Sequence, residues 1–157
     1  MDSSMDNTEI RTIVAPLMTG HILLPNVTIA ELMAFVVPEP LKEGPDWVLG
    51  ELVWNGWQVP VISIEPLLVK GHSNSVSSKA RILIIKTLGE STQVNYLGLL
   101  IQGLPRLRKV TADNLVETDK GEDHELVFSH VKIDELDAFS PDIGQLTRVV
   151  EEAAYGA

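Results

Sequence analysis

The sequence predicts a mainly β protein built from two strand-rich halves, with one short helix near its end. Short apolar runs rich in β-branched residues alternate with turns made of glycine, proline, asparagine and serine. The dipeptide Asn55-Gly56 stands between two apolar runs, which is the strongest short-range hairpin signal because both residues tolerate a positive φ. Apolar residues recur at helical spacing in 144–154, which predicts the helix.

Each element has its own local signal. The region Val27–Val37 fits a strand or a short helix, and its β-branched content favours the strand. Pro60 follows the hairpin turn inside an apolar run, which indicates an edge strand or a bulge, and Ile64–Leu68 is predicted to form a helical turn. In chain order, the remaining predicted strands are Ile10–Met18, His21–Leu24, the two arms of the hairpin within Asp46–Ile64, Arg81–Thr87, Val94–Ile101, Leu104–Val110, Leu126–Ile133 and Ala138–Ile143.

The domain organisation is predicted from one serine-rich segment. Lys70–Lys79 has no apolar periodicity and is expected to be a flexible connection between the halves. Residues 1–8 are predicted to be a flexible tail, and residues 9–157 a single domain whose two lobes are joined near 70–79. The pattern Leu-Gly-x-Leu occurs at 49–52 and again at 97–100, which reflects either two similar lobes or chance.

Composition disfavours several classes of partner and site. The 157 residues include 12 basic and 22 acidic side chains, a formal net charge of −10, so nucleic acids and anionic membrane surfaces would repel the chain. The chain has no cysteine, which excludes thiol chemistry and fits a reducing compartment. No apolar run approaches the ~20 residues of a membrane span. The protein is therefore predicted to be cytoplasmic, without nucleic-acid binding or membrane insertion.

No catalytic, cofactor or metal site is predicted. Neither a phosphate-binding glycine loop nor a Gly-x-Ser-x-Gly motif occurs. His124 and His130 stand near several carboxylates, which fits a solvated acidic loop better than a metal site. Asp134, Glu135 and Asp137 fit a charged hairpin turn better than an acid–base pair. The sequence thus predicts that the protein is not an enzyme.

Two surface features allow more than one interpretation. The cluster Arg106-x-Arg108-Lys109 forms either the exposed face of a strand, which we favour, or a contact patch for an acidic partner. Trp57 directly follows the hairpin glycine and either folds back over the sheet or anchors a partner, because tryptophan is enriched at the energetic centres of interfaces.

Three segments resemble CheW-like domains. Residues 47–64 (WVLGELVWNGWQVPVISI) resemble the family signature of a glycine before a strand, a turn and a Val-Pro. Residues 24–32 (LPNVTIAEL) and 96–104 (YLGLLIQGL) resemble two further strands of the family, so that the resemblance covers about 10–150. The sequences Leu-Leu-Pro-Asn-Val and Pro-Asp-Trp look closest to the CheW-like proteins of chemosensory systems that control type IV pili, the ChpC-like branch.

The chain departs from the family pattern at three positions. Asn55 stands where the family has a turn arginine, and Ser63 and Gln102 stand where it has aspartates. These departures imply a different receptor contact or a weaker one.

The resemblance implies a fold and a role. The fold would consist of two intertwined five-stranded SH3-like β-barrels with a short C-terminal helix. The role would be that of a non-enzymatic adaptor that couples methyl-accepting chemoreceptors to the regulatory domain of a CheA-type histidine kinase, in a system for twitching motility. The alternative is a β-barrel module that binds a small molecule or peptide between its lobes.

The resemblance also implies a set of protein-binding residues. Val27, Glu31 and Asn55 would line a receptor-side groove, while Leu97–Gly103 and the Trp57 edge would contact the kinase or a related adaptor. The full expected set is Val27, Glu31, Asn55, Gly56, Trp57, Leu97, Gly98, Gln102 and Gly103.

Overall fold

The structure of the protein is a computed structural model that describes residues 9–68, 75–87, 89, 93–118 and 124–156. The predicted tail at 1–8 lies outside these residues. The strands are β1 (Ile10–Pro16), β2 (His21–Pro25), β3 (Ile29–Ala34), β4 (Val48–Trp54), β5 (Trp57–Ile62), β6 (Arg81–Lys86), β7 (Tyr96–Ile101), β8 (Arg106–Val110), β9 (Leu115–Glu117), β10 (Val127–Ile133) and β11 (Leu136–Pro141). The helices are α1 (Glu65–Leu68) and α2 (Ile143–Tyr155).

The strands form two sheets that are intertwined along the chain. One sheet has the order β8-β1-β2-β11-β10-β9, and the other has the order β3-β6-β7-β5-β4. The first two strands and the last four thus share a sheet, while the middle five form the second. Neighbouring strands pair antiparallel except β2 with β11 and β5 with β7. The predicted mainly β fold with a short C-terminal helix is confirmed, and the short β9 gives one sheet a sixth strand.

Along the chain, the serine-rich segment stands between two strands of the same sheet. Its residues 70–74 are outside the described part of the structure, and 75–79 lead into β6. The strands on either side of the segment, β5 and β6, both belong to the five-stranded sheet. The chain passes from one sheet to the other between β2 and β3 and again between β7 and β8.

Side chains of both sheets and of α2 pack into one cluster, which we call the shared core. Each sheet also has a smaller inner core on its other face. Along β6, Leu83 and Ile85 lie in the shared core, whereas Ile82 and Ile84 lie in the inner core, as the two-residue period of a strand requires. The shared core consists of Ala15, Leu17, Ile22, Leu24, Ile62, Ile64, Leu83, Ile85, Leu97, Leu99, Ile101, Leu126, Phe139, Leu146 and Val150.

Local chemistry explains the two tightest turns. Asn55 and Gly56 have φ of 48° and 79°, the positive pair that a two-residue hairpin turn requires, so the predicted hairpin is confirmed. Asp134 and Glu135 have φ of 47° and 71° between β10 and β11. Asp134 and Glu135 therefore lie in a hairpin turn, as the sequence predicted, whereas Asp137 lies in β11.

Of the two alternatives predicted for Pro60, an edge strand or a bulge, the edge strand is wrong. Pro60 lies in β5, which is an inner strand between β4 and β7. The proline is accommodated because pairing with β7 covers only Val61 and Ile62. The irregular register is on the partner strand β4, between Val48 and Gly50.

The region predicted as one strand over Val27–Val37 divides into two elements. A 3-10 turn spans Asn26–Thr28, where the Thr28 hydroxyl donates to the Pro25 carbonyl at 2.7 Å, and β3 covers only Ile29–Ala34. Helix α2 begins one residue earlier than the periodicity predicts, because the Asp142 side chain caps it by accepting from the Gln145 N–H at 3.0 Å.

A buried carboxylate joins the short helix α1 to the turn between β1 and β2. Glu65 is 5% exposed, and its two oxygens accept from the backbone N–H groups of Met18 at 2.9 Å and Thr19 at 3.0 Å. Helix α1 directly follows β5 of the five-stranded sheet. The contact therefore connects that sheet with the β1–β2 hairpin of the six-stranded sheet.

Replacing Glu65 with alanine is expected to destabilise the protein by about 2–3 kcal/mol, because the two backbone N–H groups lose an ionised acceptor. Glutamine, with one acceptor oxygen, is expected to give an intermediate loss. Denaturant unfolding followed by circular dichroism measures both. Thr19→Ala is the control, since it removes only the hydroxyl contact at 3.3 Å; equal losses for Glu65→Ala and Thr19→Ala would contradict the assignment.

Replacing Gly98 with alanine is expected to cost about 1–3 kcal/mol through overpacking. An added Cβ would lie 3.1 Å from Val61 Cγ2 and 3.2 Å from Ile82 Cγ2, both in the inner core. The matched control is Gly44→Ala at an exposed position where the nearest atoms are 3.9 Å away, with an expected change within about 0.5 kcal/mol. Thermal unfolding measures the stability of both variants. Equal losses of stability would contradict the prediction, because they would show that the core relaxes around the added methyl group.

Candidate protein-interaction surface

One end of the five-stranded sheet brings several predicted residues together. The turn before β3, the end of β6 and the starts of β7 and β5 meet there. Lys86 is paired with Tyr96 in the ladder, and Lys86 Nζ donates to the Val27 carbonyl at 3.2 Å. The ring of Tyr96 lies 5.4 Å from that of Trp57. We call Val27, Lys86, Tyr96 and Trp57 the hairpin-end surface.

The structure supports the first interpretation of Trp57, that it folds back over the sheet, and its role as a partner anchor stays a prediction. Its ring packs back on Tyr96, yet the residue remains 43% exposed. Trp54, paired with Trp57 across the hairpin, contacts Tyr96 edge-on at 4.9 Å. The two tryptophans therefore share one tyrosine, which holds the exposed indole of Trp57 in a defined position. Such a held aromatic side chain loses little conformational freedom when a partner covers it.

The β3 edge extends this surface. Val27 is 77% exposed, a large fraction for an apolar side chain. Glu31 is exposed on β3 and lies opposite Ile84 in the register. Because β3 is an edge of its sheet, part of its backbone donors and acceptors are unpaired within the sheet and open to another chain. Apolar groups, one ammonium and one carboxylate beside a free edge suit protein docking.

A carboxylate links the hairpin to the C-terminal helix. The Tyr155 hydroxyl donates to Glu51 Oε2 at 2.6 Å, and Gln58, the neighbour of Trp57, donates to Glu51 Oε1 at 3.4 Å. Burial, this hydrogen bond and the charge of Glu51 raise the pKa of Tyr155 well above its usual value, so the phenol stays a donor. These bonds attach α2 to the sheet whose end carries Trp57.

Two of the expected binding residues are inside the protein. Leu97 is fully buried in the shared core, and Gly98 is buried between Val61 and Ile82. Side chains without exposed surface cannot contact a partner docked on the outside, so these two positions support the fold.

Gln102 and Gly103 lie beyond the opposite end of β7 from Tyr96, so the structure does not bring them to the hairpin-end surface. The side chain of Gln102 donates to the Ser75 carbonyl at 2.7 Å and accepts from the Ser77 N–H at 2.8 Å. Its backbone N–H donates to the Pro16 carbonyl at 2.9 Å. Gln102 thus ties the segment before β6 to both sheets. No sequence signal predicts this contact, because nothing local marks which residue the serine-rich segment packs against.

The histidine candidates form no cluster. Within the described ranges, no group of three or more His, Asp or Glu side chains is placed to hold a metal ion. His124 Nδ1 accepts from the Leu126 N–H at 3.1 Å, an ordinary turn contact. Helices in the described part of the chain are all too short or too polar to cross a membrane.

Comparisons with known proteins agree with this architecture. The family model of the CheW-like domain matches residues 12–151. The scaffolding protein CheW of Thermoanaerobacter tengcongensis has a similar solved structure, with a TM-score of 0.72 and 18% sequence identity, over 86% of this chain and 90% of that one. A search of curated protein sequences finds no significant match. Because the family model spans nearly the whole described β architecture, the chain belongs to the CheW-like domain family.

Proposed function

We propose that the protein is a non-enzymatic adaptor of a chemotaxis-type signalling system. It couples methyl-accepting chemoreceptors to the regulatory domain of a CheA-type histidine kinase. Two findings support this role: the membership of the CheW-like family and the fold shared with a bacterial CheW scaffolding protein. We place the protein in the cytoplasm, and the cysteine-free sequence fits that reducing compartment.

The observation that carries the proposal is the hairpin-end surface. It combines an aromatic anchor, Trp57, with the exposed Val27, and the edge strand β3, which carries Glu31, lies beside it. Protein interfaces typically surround a few well-packed aromatic or apolar anchors with a polar rim. The receptor or the kinase domain docks on this surface, and the edge of β3 supplies backbone hydrogen bonds.

The system served is one that controls type IV pili. Support comes from the segments Leu23-Leu24-Pro25-Asn26-Val27 and Pro45-Asp46-Trp47, which resemble the ChpC-like branch. At the hairpin turn Asn55 is neutral and shorter than the arginine of the family, so this protein contacts its receptor without that charge. Co-purification from the native cytoplasm tests the assignment: recovery of the kinase and receptor of a pilus system supports it, and recovery of a flagellar set instead contradicts it.

Replacing Trp57 with alanine is expected to weaken binding to the receptor or kinase domain about tenfold or more, as loss of an interface anchor does. The fold is expected to survive, since the side chain is largely outside the cores. Calorimetric titration with each partner domain measures the affinity. Val53→Ser is the matched control. Val53 is 75% exposed on the same hairpin, but its side chain lies on the face opposite to Trp54 and Trp57. The Val53→Ser variant is expected to bind both partner domains with unchanged affinity.

Replacing Glu31 with lysine is expected to reduce the association rate and the affinity about severalfold, because charge complementarity at a rim acts mainly on encounter. The effect is expected to shrink as salt rises. Stopped-flow association at low and high ionic strength measures it, with Glu135→Lys in the β10–β11 turn as a control for net charge. If both lysine variants behave alike, or neither Trp57→Ala nor Glu31→Lys alters binding, the surface is wrongly assigned.

A further inference from the structure

A pocket of about 400 Å³ lies in the six-stranded sheet, away from the hairpin-end surface. It is formed where β1, the approach to β8 and the β10–β11 hairpin meet. Val14, Leu104 and Leu136 supply apolar wall, and Val14 and Leu136 also belong to the packing of that sheet's inner core. The volume is within the range of small-molecule sites, roughly 300–1,000 Å³.

Two arginines of one strand face this pocket. Arg106 lies opposite Val14 and Arg108 opposite Thr12 in the β1–β8 ladder. Residues opposite each other share a face, so both guanidinium groups lie on the side of the inner core, and both line the pocket. Lys109 alternates to the other face, where its Nζ is 3.8 Å from Glu9 Oε2. The exposed-face interpretation of the basic cluster fits Lys109 and Arg106, which are exposed, whereas Arg108 is half-buried; both arginines also line the cavity.

These arginines lack a counter-ion among the residues that the structure describes. Arg108 Nε is buried without a hydrogen-bond partner, and neither guanidinium forms an ion pair with any residue in the described ranges. The carboxylate of Asp134 borders the pocket but is exposed in the β10–β11 turn. A partly buried cation without an acceptor is unfavourable unless something else supplies the acceptor.

His21 completes the polar lining. Its Nδ1 lies 3.2 Å from the Asp137 carbonyl, to which only a protonated ring nitrogen can donate. This bond fixes the imidazole beside the arginines. The lining of the pocket therefore combines two guanidinium groups and an imidazole with aliphatic side chains, in a protein whose net charge is −10.

We propose that this pocket binds a carboxylate carried on a short apolar stem. The planar fork of a guanidinium matches the two oxygens of a carboxylate, and the aliphatic wall contacts the stem. The same chemistry has two sources, a free short-chain acid or the C-terminal residue of a polypeptide. The site is independent of the adaptor role, and its failure would leave the hairpin-end surface untouched.

The test is titration of the full-length ¹⁵N-labelled protein with two probes, hexanoate and a hexapeptide ending in a free leucine carboxylate. We expect saturable shifts at the amides of Arg106, Arg108 and Leu136 with at least one probe. Binding of hexanoate alone assigns a free acid, and binding of the peptide alone assigns a polypeptide terminus. Hexanol and the peptide with an amidated C-terminus, which lack the carboxylate, are expected not to bind.

Substitutions on β8 distinguish a specific binding site from a general effect of the protein's charge on ligand affinity. Arg106→Gln and Arg108→Gln are each expected to weaken binding about tenfold or more, as loss of a charge-assisted pair does. Lys109→Gln removes the same charge from the same strand and is expected to change affinity by less than about twofold. If Arg108→Gln unfolds, the exposed Arg106 position decides alone. Equal effects of all three, equal binding of the uncharged probes, or no binding of either acid would overturn the proposal.

Discussion

Burial of the inner strands on both faces is the constraint on which this protein depends. Strands β2, β5, β6 and β7 each place alternate side chains into the shared core and into the inner core of their own sheet. A strand covered on both sides must be apolar at nearly every position, which explains the high hydrophobic content of 45% in a chain of 157 residues. In a chain of this length, the shared core and the two inner cores are filled because single strands contribute side chains to two of them.

Because these strands are buried on both faces, few of their residues are exposed for binding. Residues within β7, such as Leu97 and Gly98, are buried by packing and expose no surface to a partner. Partners and ligands are left with strand ends, strand edges and turns. The hairpin-end surface lies at the ends of β6, β7 and β5, and the arginine pocket lies at the end of the other sheet beside β8. Both sites therefore occupy positions where the alternation of two buried faces stops.

Polar contacts then fix the sheets and the helix at their margins. Glu65 binds the turn between β1 and β2, Gln102 binds the segment before β6, and Glu51 binds Tyr155 of α2. Each contact joins residues far apart in sequence, and each pairs polar groups at a partly buried position. Apolar packing of this kind is non-directional, so these directional bonds add precision to the placement of the two sheets and α2 relative to one another.

The sequence by itself determined the elements whose signals are local. The positive φ that Asn55-Gly56 tolerates predicts the hairpin, β-branched runs predict the strands, and helical spacing predicts α2, while the segments 47–64 and 96–104 indicate the family. Only the tertiary structure decided which strands share a sheet and therefore which residues are exposed. Pro60 in an inner strand, the burial of Leu97 and the convergence of Arg106 and Arg108 all follow from pairing between distant segments, which local preferences do not encode.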